Sequence, residues 1–269
     1  MIRLAIRVRR EDAEIALAEL LALAPAGVEE TDLGDAVEYA VYGAEGELPA
    51  LPDLQAAAGD ALVEVVTTEV ADDWPDRWRA FHRPVDVGGR VHVRPPWSPP
   101  PPPGRVDVVI DPGQAFGTGA HATTRLCLEL LLDVPPDGPF ADLGCGSGVL
   151  AIAAARLGFA PVVACDHDPA AVAATVQNAA ANGAVVAVHR ADLRRDPVPS
   201  APVIAANLIG PLLIELAPRL AAAASGTLIV SGLLATEAEA VTAAFAAAGL
   251  VPRERREDGE WAALSLVRG

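Results

Sequence analysis

The chain has 269 residues, 52% of them hydrophobic, which is enough for one large domain or two smaller ones with a sizeable core. A formal net charge of −16 argues against nucleic acid as a direct partner, because phosphate binding requires clustered cations. Such acidity suits a basic partner instead, and residues 1–70 hold 15 acidic residues against 4 arginines.

The sequence carries no signal for export, membrane insertion or metal binding. The N-terminal residues alternate between apolar and polar, unlike a signal peptide, and no uncharged apolar run is long enough to span a bilayer. Three cysteines occur without a C-x-x-C motif or a histidine at metal-ligand spacing, which predicts reduced thiols. A cytoplasmic protein without a metal or a membrane partner is therefore expected.

Residues 1–70 predict a small α+β domain with the ferredoxin-like order β-α-β-β-α-β. Strands are predicted by apolar alternation and turn residues, and helices by apolar positions at helical spacing. The expected strands are Ile2–Val8, Val28–Thr31, Val37–Tyr42 and Ala61–Val70, and the helices are Ala13–Ala24 and Leu51–Ala58. No catalytic constellation is visible, so the domain is interpreted as a substrate-recognition domain, with a purely stabilising appendage as the alternative.

Residues 71–105 differ in composition from both neighbours and are predicted to be a linker. Trp74, Trp78 and Phe81 fall on one face of a short predicted helix. The five prolines Pro99–Pro103 predict a stiff polyproline spacer, which marks a domain boundary.

The third region, residues 106–269, opens with the predicted strand Val106–Ile110 and a loop rich in glycine and hydroxyl groups. The loop is not a Walker A motif, because no lysine follows a glycine at the required spacing. Such a loop can fold over a bound cofactor, which makes Phe116 a candidate cofactor contact. His121 is either a proton acceptor in the reaction or an ordinary loop histidine.

A strand–turn–helix segment follows, with the apolar strand Phe140–Leu143, alternating glycines including Gly144 and Gly146, and a helix from Val149. Glycines let backbone N–H groups approach a ligand at the positive end of the helix. Asp166 ends the next strand, where a carboxylate can bind both hydroxyls of a ribose. The spacing fits a dinucleotide site and an S-adenosylmethionine site alike, and a turn that binds nothing is the remaining alternative.

The remaining elements predict a doubly wound α/β sheet that ends in an antiparallel hairpin. The strand Pro202–Asn207 ends in a polar amide at its tip, which is where open parallel sheets place their chemistry. Asp258-Gly259 between two strand-like runs is a hairpin signal. This antiparallel end is usual for methyltransferases and unusual for dinucleotide domains, so it favours S-adenosylmethionine over NAD. In a methyltransferase, Asp142 would face the ammonium group of the cofactor.

Taken together, these motifs resemble the PrmA family, the bacterial methyltransferases of the ribosomal stalk-base protein, over nearly the whole chain. The string from Phe116 to Thr124 is the specific part, since most class I methyltransferases share the glycine turn. The matching segments are Asp111–Gly113, Phe116–Gly119, His121, Thr123-Thr124, Asp142–Gly148, Asp166–Pro169, Asn207-Leu208 and Ser231–Leu234.

The resemblance implies a class I methyltransferase Rossmann-like domain for residues 106–269 with S-adenosylmethionine as cofactor. It implies that the cofactor is contacted by Thr124, Gly144, Asp166 and Asn207. Gly146 and Phe116 complete the expected cofactor-binding set, and Asn207 and His121 the expected catalytic set. Catalysis would consist mainly of positioning and the removal of water.

The resemblance further implies methylation of lysine side chains and the N-terminal amine of a basic ribosomal large-subunit protein. The N-terminal domain would hold the substrate, and the linker would let it present different amines. Apart from the resemblance, a monomer is expected. Asn207 is followed by Leu-Ile and not by Pro-Pro-Tyr, which argues against methylation of bases or glutamine amides. Another protein or a small amine as substrate, or an NAD-dependent oxidoreductase, are the alternatives.

Overall fold

The structure is a computed structural model that describes residues 2–13, 29–43, 62–69, 82–112, 117 and 119–269. The chain divides into two compact units, Met1–Phe81 and His82–Gly269. Apart from Ala13, the three helices predicted before residue 82 lie outside the described residues. The roles predicted for the three regions stay predictions.

The first unit contains a four-stranded antiparallel sheet in the order β2-β3-β1-β4. The strands are β1 Ile2–Arg9, β2 Glu29–Asp32, β3 Ala36–Gly43 and β4 Leu62–Glu69. Glu38 accepts from Arg3 Nη2 at 2.5 Å and from Arg7 Nε at 2.7 Å, and the bond from Arg3 is the main reason that the pKa of this carboxyl is lowered. With the helices outside the described residues, the ferredoxin-like arrangement stays a prediction.

A three-stranded sheet begins the second unit. Its first two strands lie in the segment that the sequence predicts to be a linker, and the third is the strand predicted to begin at Val106. Its strands are β5 Val85–Val87, β6 Val91–Arg94 and β7 Val106–Val109. The first two pair antiparallel around Gly88-Gly89, both at positive φ, and β6 pairs with β7 in parallel. Alternating valines around a Gly-Gly turn are a hairpin signal, so the strands were recognisable. The proline run connects two strands of one sheet.

The main sheet has seven strands in the order β10-β9-β8-β11-β12-β14-β13. The strands from β8 to β12 are parallel, and β14 pairs antiparallel with both β12 and β13. The predicted doubly wound sheet with an antiparallel hairpin through Asp258-Gly259 is confirmed. Its strands are β8 Phe140–Leu143, β9 Val162–Asp166, β10 Ala187–Arg190, β11 Ala201–Asn207, β12 Ala224–Leu234, β13 Leu250–Asp258 and β14 Trp261–Arg268.

Five helices of the second unit accompany this sheet. They are α1 Ala122–Leu132, α2 Val149–Leu157, α3 Pro169–Ala181, α4 Gly210–Ala223 and α5 Ala238–Ala247. Two buried apolar clusters form the core, one containing Phe140 with α1 and α2, the other containing Leu143 with α4 and α5. Among the described helices, none combines the length and the hydropathy that a membrane span requires.

All three cysteines lie buried in the second unit as unpaired thiols. They are Cys127 in α1, Cys145 after β8 and Cys165 in β9. Burial raises the pKa of each thiol, that of Cys165 to about 12. The structure therefore holds these cysteines as small apolar side chains, consistent with the predicted reduced state.

Candidate functional site

A cavity of about 290 Å³ lies at the carboxyl ends of β8, β9 and β11. Here the chain leaves β8 toward β9 on one side, while β11 lies on the other, and ligands bind at such a switch point in open α/β sheets. The predicted cofactor residues that line it are Thr124, Gly144, Gly146, Asp166 and Asn207. The sixth, Phe116, lies outside the described residues.

The glycine turn uses the conformation that only glycine adopts without strain. Gly144, Gly146 and Gly148 have φ angles of 77°, 52° and 82°. A Cβ atom at Gly144 would lie 2.5 Å from Leu208 Cδ2, across the cavity wall. The turn thus brings backbone close to the cavity and starts α2 directly beyond it, as the sequence predicts.

Asp166 holds the turn from the end of β9. Its Oδ2 accepts from Gly146 N–H at 3.0 Å, and its Oδ1 accepts from Asp168 N–H at 3.0 Å. The residue is only 9% exposed, and it lines the cavity. Oδ1 also lies 3.2 Å from His167 Nδ1, whereas Oδ2 has one bond among the described residues and can accept a second. The ribose-binding role predicted for Asp166 is therefore compatible with its geometry at Oδ2.

Two polar side chains of α3 donate hydrogen bonds to the glycine turn, and Asn182, which follows α3, bonds to β7. The sequence did not predict this role. Thr175 Oγ1 donates to Gly146 O at 2.8 Å, and Asn178 Nδ2 donates to the next carbonyl at 2.9 Å. Asn178 Oδ1 accepts from Asp111 N–H at 3.1 Å, and Asn182 forms two bonds to one residue of β7, at 2.7 and 2.6 Å. Polar residues on one face of an alanine-rich helix were the available signal.

The loop between β7 and α1 reaches the glycine turn. Ser147 Oγ donates to Gly117 O at 2.5 Å, which joins this loop to the residues that line the cavity. The predicted folding of the loop toward the cofactor site is seen at Gly117, the residue that follows Phe116.

Three buried side-chain oxygens of the described residues lack a hydrogen-bond partner: Thr124 Oγ1, Asn207 Oδ1 and Asp142 Oδ1. Thr124 and Asn207 line the cavity. A buried polar atom without a partner costs about 1–3 kcal/mol, so native proteins rarely keep one without reason. A ligand in the cavity that pairs with these atoms is the physical account we favour for the two that line it.

Asp142 differs from the expectation that it faces the ammonium group of a cofactor. It is 1% exposed and does not belong to the cavity lining. Its Oδ2 accepts from Ala151 N–H at 3.0 Å, because the side chain turns under the first turn of α2. Burial is the main cause that raises the pKa of this carboxyl to about 7.

His121 lies behind the cavity wall and not in it. It precedes α1, and its Nδ1 lies 2.8 Å from Thr123 Oγ1, which in turn accepts from Asn207 Nδ2 at 3.3 Å. Its ring packs edge-on against Trp261 at a centroid distance of 4.9 Å. Burial, with a smaller effect of Arg125, lowers the pKa of His121. The two predicted catalytic residues are thus connected through Thr123, which the sequence did not single out.

Known proteins resemble the chain along most of its length. A family model described as ribosomal protein L11 methyltransferase (PrmA) matches residues 12–269. A ribosomal protein L11 methyltransferase from Pelobacter propionicus is 42% identical over 214 residues, which cover 76% of this chain and 69% of the relative. One from Geobacter metallireducens is 40% identical over 222 residues, which cover 79% of this chain and 73% of the relative.

A solved structure extends the likeness to the backbone. The ribosomal protein L11 methylase of Lactobacillus delbrueckii subsp. bulgaricus has a TM-score of 0.63 at 29% identity, covering 70% of this chain and 99% of that chain. The family match includes both the glycine turn and the loop before α1. The chain therefore belongs to the ribosomal protein L11 methyltransferase (PrmA) family.

Proposed function

We propose that this chain transfers methyl groups from S-adenosylmethionine to lysine side chains and the N-terminal amine of a basic ribosomal large-subunit protein. The observation that carries this function is a cavity in a methyltransferase fold whose wall holds two unpaired buried oxygens, Thr124 Oγ1 and Asn207 Oδ1. The named activity of the relatives supports the choice of substrate.

The cavity residues fit the methyl donor. Asp166 is positioned for vicinal hydroxyls, the glycines bring backbone close, and Thr124 and Asn207 each retain a free acceptor position. When bound, S-adenosylmethionine supplies an electrophilic methyl group on a sulfonium centre. Methyltransferase membership separates this cofactor from NAD, which the glycine spacing alone leaves possible.

The chain's own contribution to transfer is orientation and exclusion of water. Asn207, at the tip of β11, offers a hydrogen-bond acceptor to the N–H of an amine, and apolar neighbours such as Leu208 and Leu212 line the same cavity. An attacking amine must be neutral, so a lysine ammonium has to lose a proton first. His121 does not belong to the cavity lining and is linked to Asn207 through Thr123, so we assign it an indirect effect on the amine.

We assign substrate recognition to the N-terminal unit because of its acidity. Residues 1–70 carry 15 acidic residues against 4 arginines, and opposite charge steers a basic protein toward this unit. Removal of residues 1–81 follows the observed division of the chain. We expect transfer to the ribosomal protein to be lost while cofactor binding persists, and undiminished transfer would rule out the recognition role.

The direct test uses the full chain, labelled S-adenosylmethionine and purified ribosomal protein L11. We expect incorporation of label, with mass spectrometry locating methyl groups on lysines and on the N-terminal amine. Calorimetric titration with S-adenosylmethionine and with NAD should give binding of the first alone. No incorporation at saturating cofactor, or binding of NAD alone, would overturn the proposed function.

A monomer that acts without nucleic acid, in the cytoplasm, is the accompanying proposal. Support for the absence of nucleic-acid contacts comes from a net charge of −16, which disfavours binding to phosphates. Light scattering with and without the ribosomal protein measures the oligomeric state.

A further inference from the structure

We infer that Thr123 is a positioning residue, whose hydroxyl fixes the Asn207 side-chain amide with its oxygen as the acceptor presented to the incoming amine. This inference deepens the proposed function and rests on it. It follows from the direction of three hydrogen bonds that connect His121, Thr123 and Asn207.

The first bond determines the protonation of the imidazole. Thr123 N–H donates to His121 Nδ1 at 3.4 Å, a long but directional contact at the start of α1. A backbone N–H group has no acceptor function, so Nδ1 presents its lone pair and carries no proton. The lowered pKa of His121, caused mainly by burial, agrees with a neutral ring.

The second bond determines the direction of the threonine hydroxyl. Thr123 Oγ1 lies 2.8 Å from the same Nδ1. We therefore assign the proton of this contact to the hydroxyl, which shares the lone pair of Nδ1 with the Thr123 N–H. A hydroxyl has a single proton, so toward any other neighbour Thr123 Oγ1 acts only as an acceptor.

The third bond then determines the orientation of the amide. The Asn207 amide group nearest to Thr123 Oγ1, at 3.3 Å, must be a donor, which is Nδ2. Oδ1 is therefore the opposite end, and it is the buried oxygen of Asn207 that has no partner among the described residues. If the amide were rotated, two acceptors would face each other at Thr123 and the amine would meet an N–H donor.

Packing around the three residues supports a fixed arrangement. Thr123 is 1% exposed, and the His121 ring rests against Trp261 of β14. On the far side of the amide, Gly232 leaves room, since a Cβ there would lie 2.9 Å from Asn207 Oδ1. The hydroxyl of Thr123 is thus the only group that the described structure shows bonded to the amide of Asn207.

The test compares Thr123→Val, which keeps the shape and removes the hydroxyl, with Thr123→Ser, which keeps the hydroxyl. We expect the valine variant to lower kcat for methyl transfer about 10- to 100-fold, since a mispaired buried amide is costly. KM for the ribosomal protein and Kd for S-adenosylmethionine should change less than about threefold. The serine variant should regain activity within about threefold of wild type, and the exposed control Thr236→Val should match wild type.

Repeating the Thr123→Val substitution in an Asn207→Asp protein tests whether the orientation of the Asn207 amide is what Thr123 controls. In Asn207→Asp both ends of the side chain are acceptors, so no orientation remains to be fixed. Adding Thr123→Val to Asn207→Asp should therefore cost less than about twofold beyond Asn207→Asp alone. An equal loss in both backgrounds, or a serine variant as slow as the valine variant, would overturn the inference.

A measurement on the wild-type chain that does not depend on activity keeps the inference testable if the variants fold poorly. In the wild-type chain, the Asn207 side-chain amide protons should show nuclear Overhauser effects to the Thr123 side chain, and their absence would overturn the inference. The proposed function fails separately, when wild type neither binds S-adenosylmethionine nor labels the ribosomal protein. An active wild type with an equally active Thr123→Val variant refutes the positioning role alone.

Discussion

The two ends of the cavity differ in how their polar groups are satisfied. At the Asp166 end, both carboxylate oxygens already accept backbone N–H groups at 3.0 Å. At the Asn207 end, Asn207 Oδ1 and Thr124 Oγ1 are buried and have no partner among the described residues. One end is therefore shaped by the chain's own hydrogen bonds, whereas the other leaves two buried oxygens unpaired.

This contrast has an energetic meaning. An end whose bonds are already formed needs little reorganisation on binding, which favours affinity. An end with unpaired buried atoms is destabilised in the free protein by about 1–3 kcal/mol per atom. A ligand that pairs these atoms recovers that free energy. We therefore expect substitutions at the first end to affect cofactor affinity most, and those at the second end to affect transfer most.

The largest effect is expected from Asp166→Ala, which removes both backbone bonds and the predicted ribose contact together. We expect the Kd for S-adenosylmethionine to rise about 100-fold, equivalent to about 2.7 kcal/mol. Calorimetric titration measures it. The exposed acid Asp137 provides the matched control, since Asp137→Ala should leave the Kd unchanged. If Asp166→Ala and wild type bound S-adenosylmethionine with equal Kd, the Asp166 end would not determine cofactor affinity.

The second prediction separates Asp166, whose proposed role is cofactor binding, from the buried acid Asp142. The pKa of Asp142 is raised to about 7 by burial, above its value in the unfolded chain. Its stabilising contribution is therefore full below about pH 4 and is lost as the pH rises through about 7. From pH 5 to pH 8, we expect the free energy of unfolding to fall by about 2 kcal/mol more in wild type than in Asp142→Asn.

Urea denaturation followed by circular dichroism, at both pH values, measures this difference for Asp142. Identical pH slopes for wild type and Asp142→Asn would show that the carboxyl is not the titrating group. Cofactor affinity should change less than about fivefold in this variant, because Asp142 does not belong to the cavity lining.

The third prediction concerns the Asn207 end, where Gly232 has a φ angle of 85°. A Cβ at Gly232 would lie 2.5 Å from the backbone oxygen of Leu208 and 2.9 Å from Asn207 Oδ1. Gly232→Ala should therefore displace the amide and lower kcat about tenfold, with a smaller change in cofactor Kd. Gly259→Ala is the control, because its φ of 61° is also left-handed but no atom lies within 4 Å.

The smallest effect is expected at the glycine turn. A Cβ at Gly144 would lie 2.5 Å from Leu208 Cδ2, the flexible end of a side chain that can move aside. Gly144→Ala should weaken cofactor binding about fivefold, through backbone strain and a narrower cavity, with kcat nearly unchanged at saturation. If Gly144→Ala lowered kcat and kept the cofactor Kd of wild type, the grouping of Gly144 with the Asp166 end of the cavity would be wrong.

Local patterns in the sequence were sufficient for most of the fold. Apolar strands, glycine turns and the Asp258-Gly259 signal predicted the sheet and its closing hairpin, because each depends on neighbouring residues. The strands β5 and β6 were missed although the alternation from Val85 to Val93 indicated them. The tryptophans and prolines that flank these strands led instead to the prediction of a linker over residues 71–105.

The site was less predictable where it depends on distant residues. Thr124, Gly144, Gly146, Asp166 and Asn207 were placed by motif and resemblance, and the structure brings them to one cavity. The role of Thr123 depends on a bond between residues 84 positions apart, which no local pattern encodes. The side-chain direction of Asp142 depends on how α2 begins above it, so the strand position alone could not determine it.

The buried cysteines give this protein an intrinsic reporter. All three thiols lie in the second unit, and none is more than 5% exposed. Cys127 and Cys165 react with an alkylating reagent only when this unit opens, whereas Cys145 also lines the cavity. The rate of covalent labelling therefore reports opening of the second unit and access to its cavity. Bound cofactor should slow this labelling, so the labelling rate also reports the fraction of the protein that has cofactor bound.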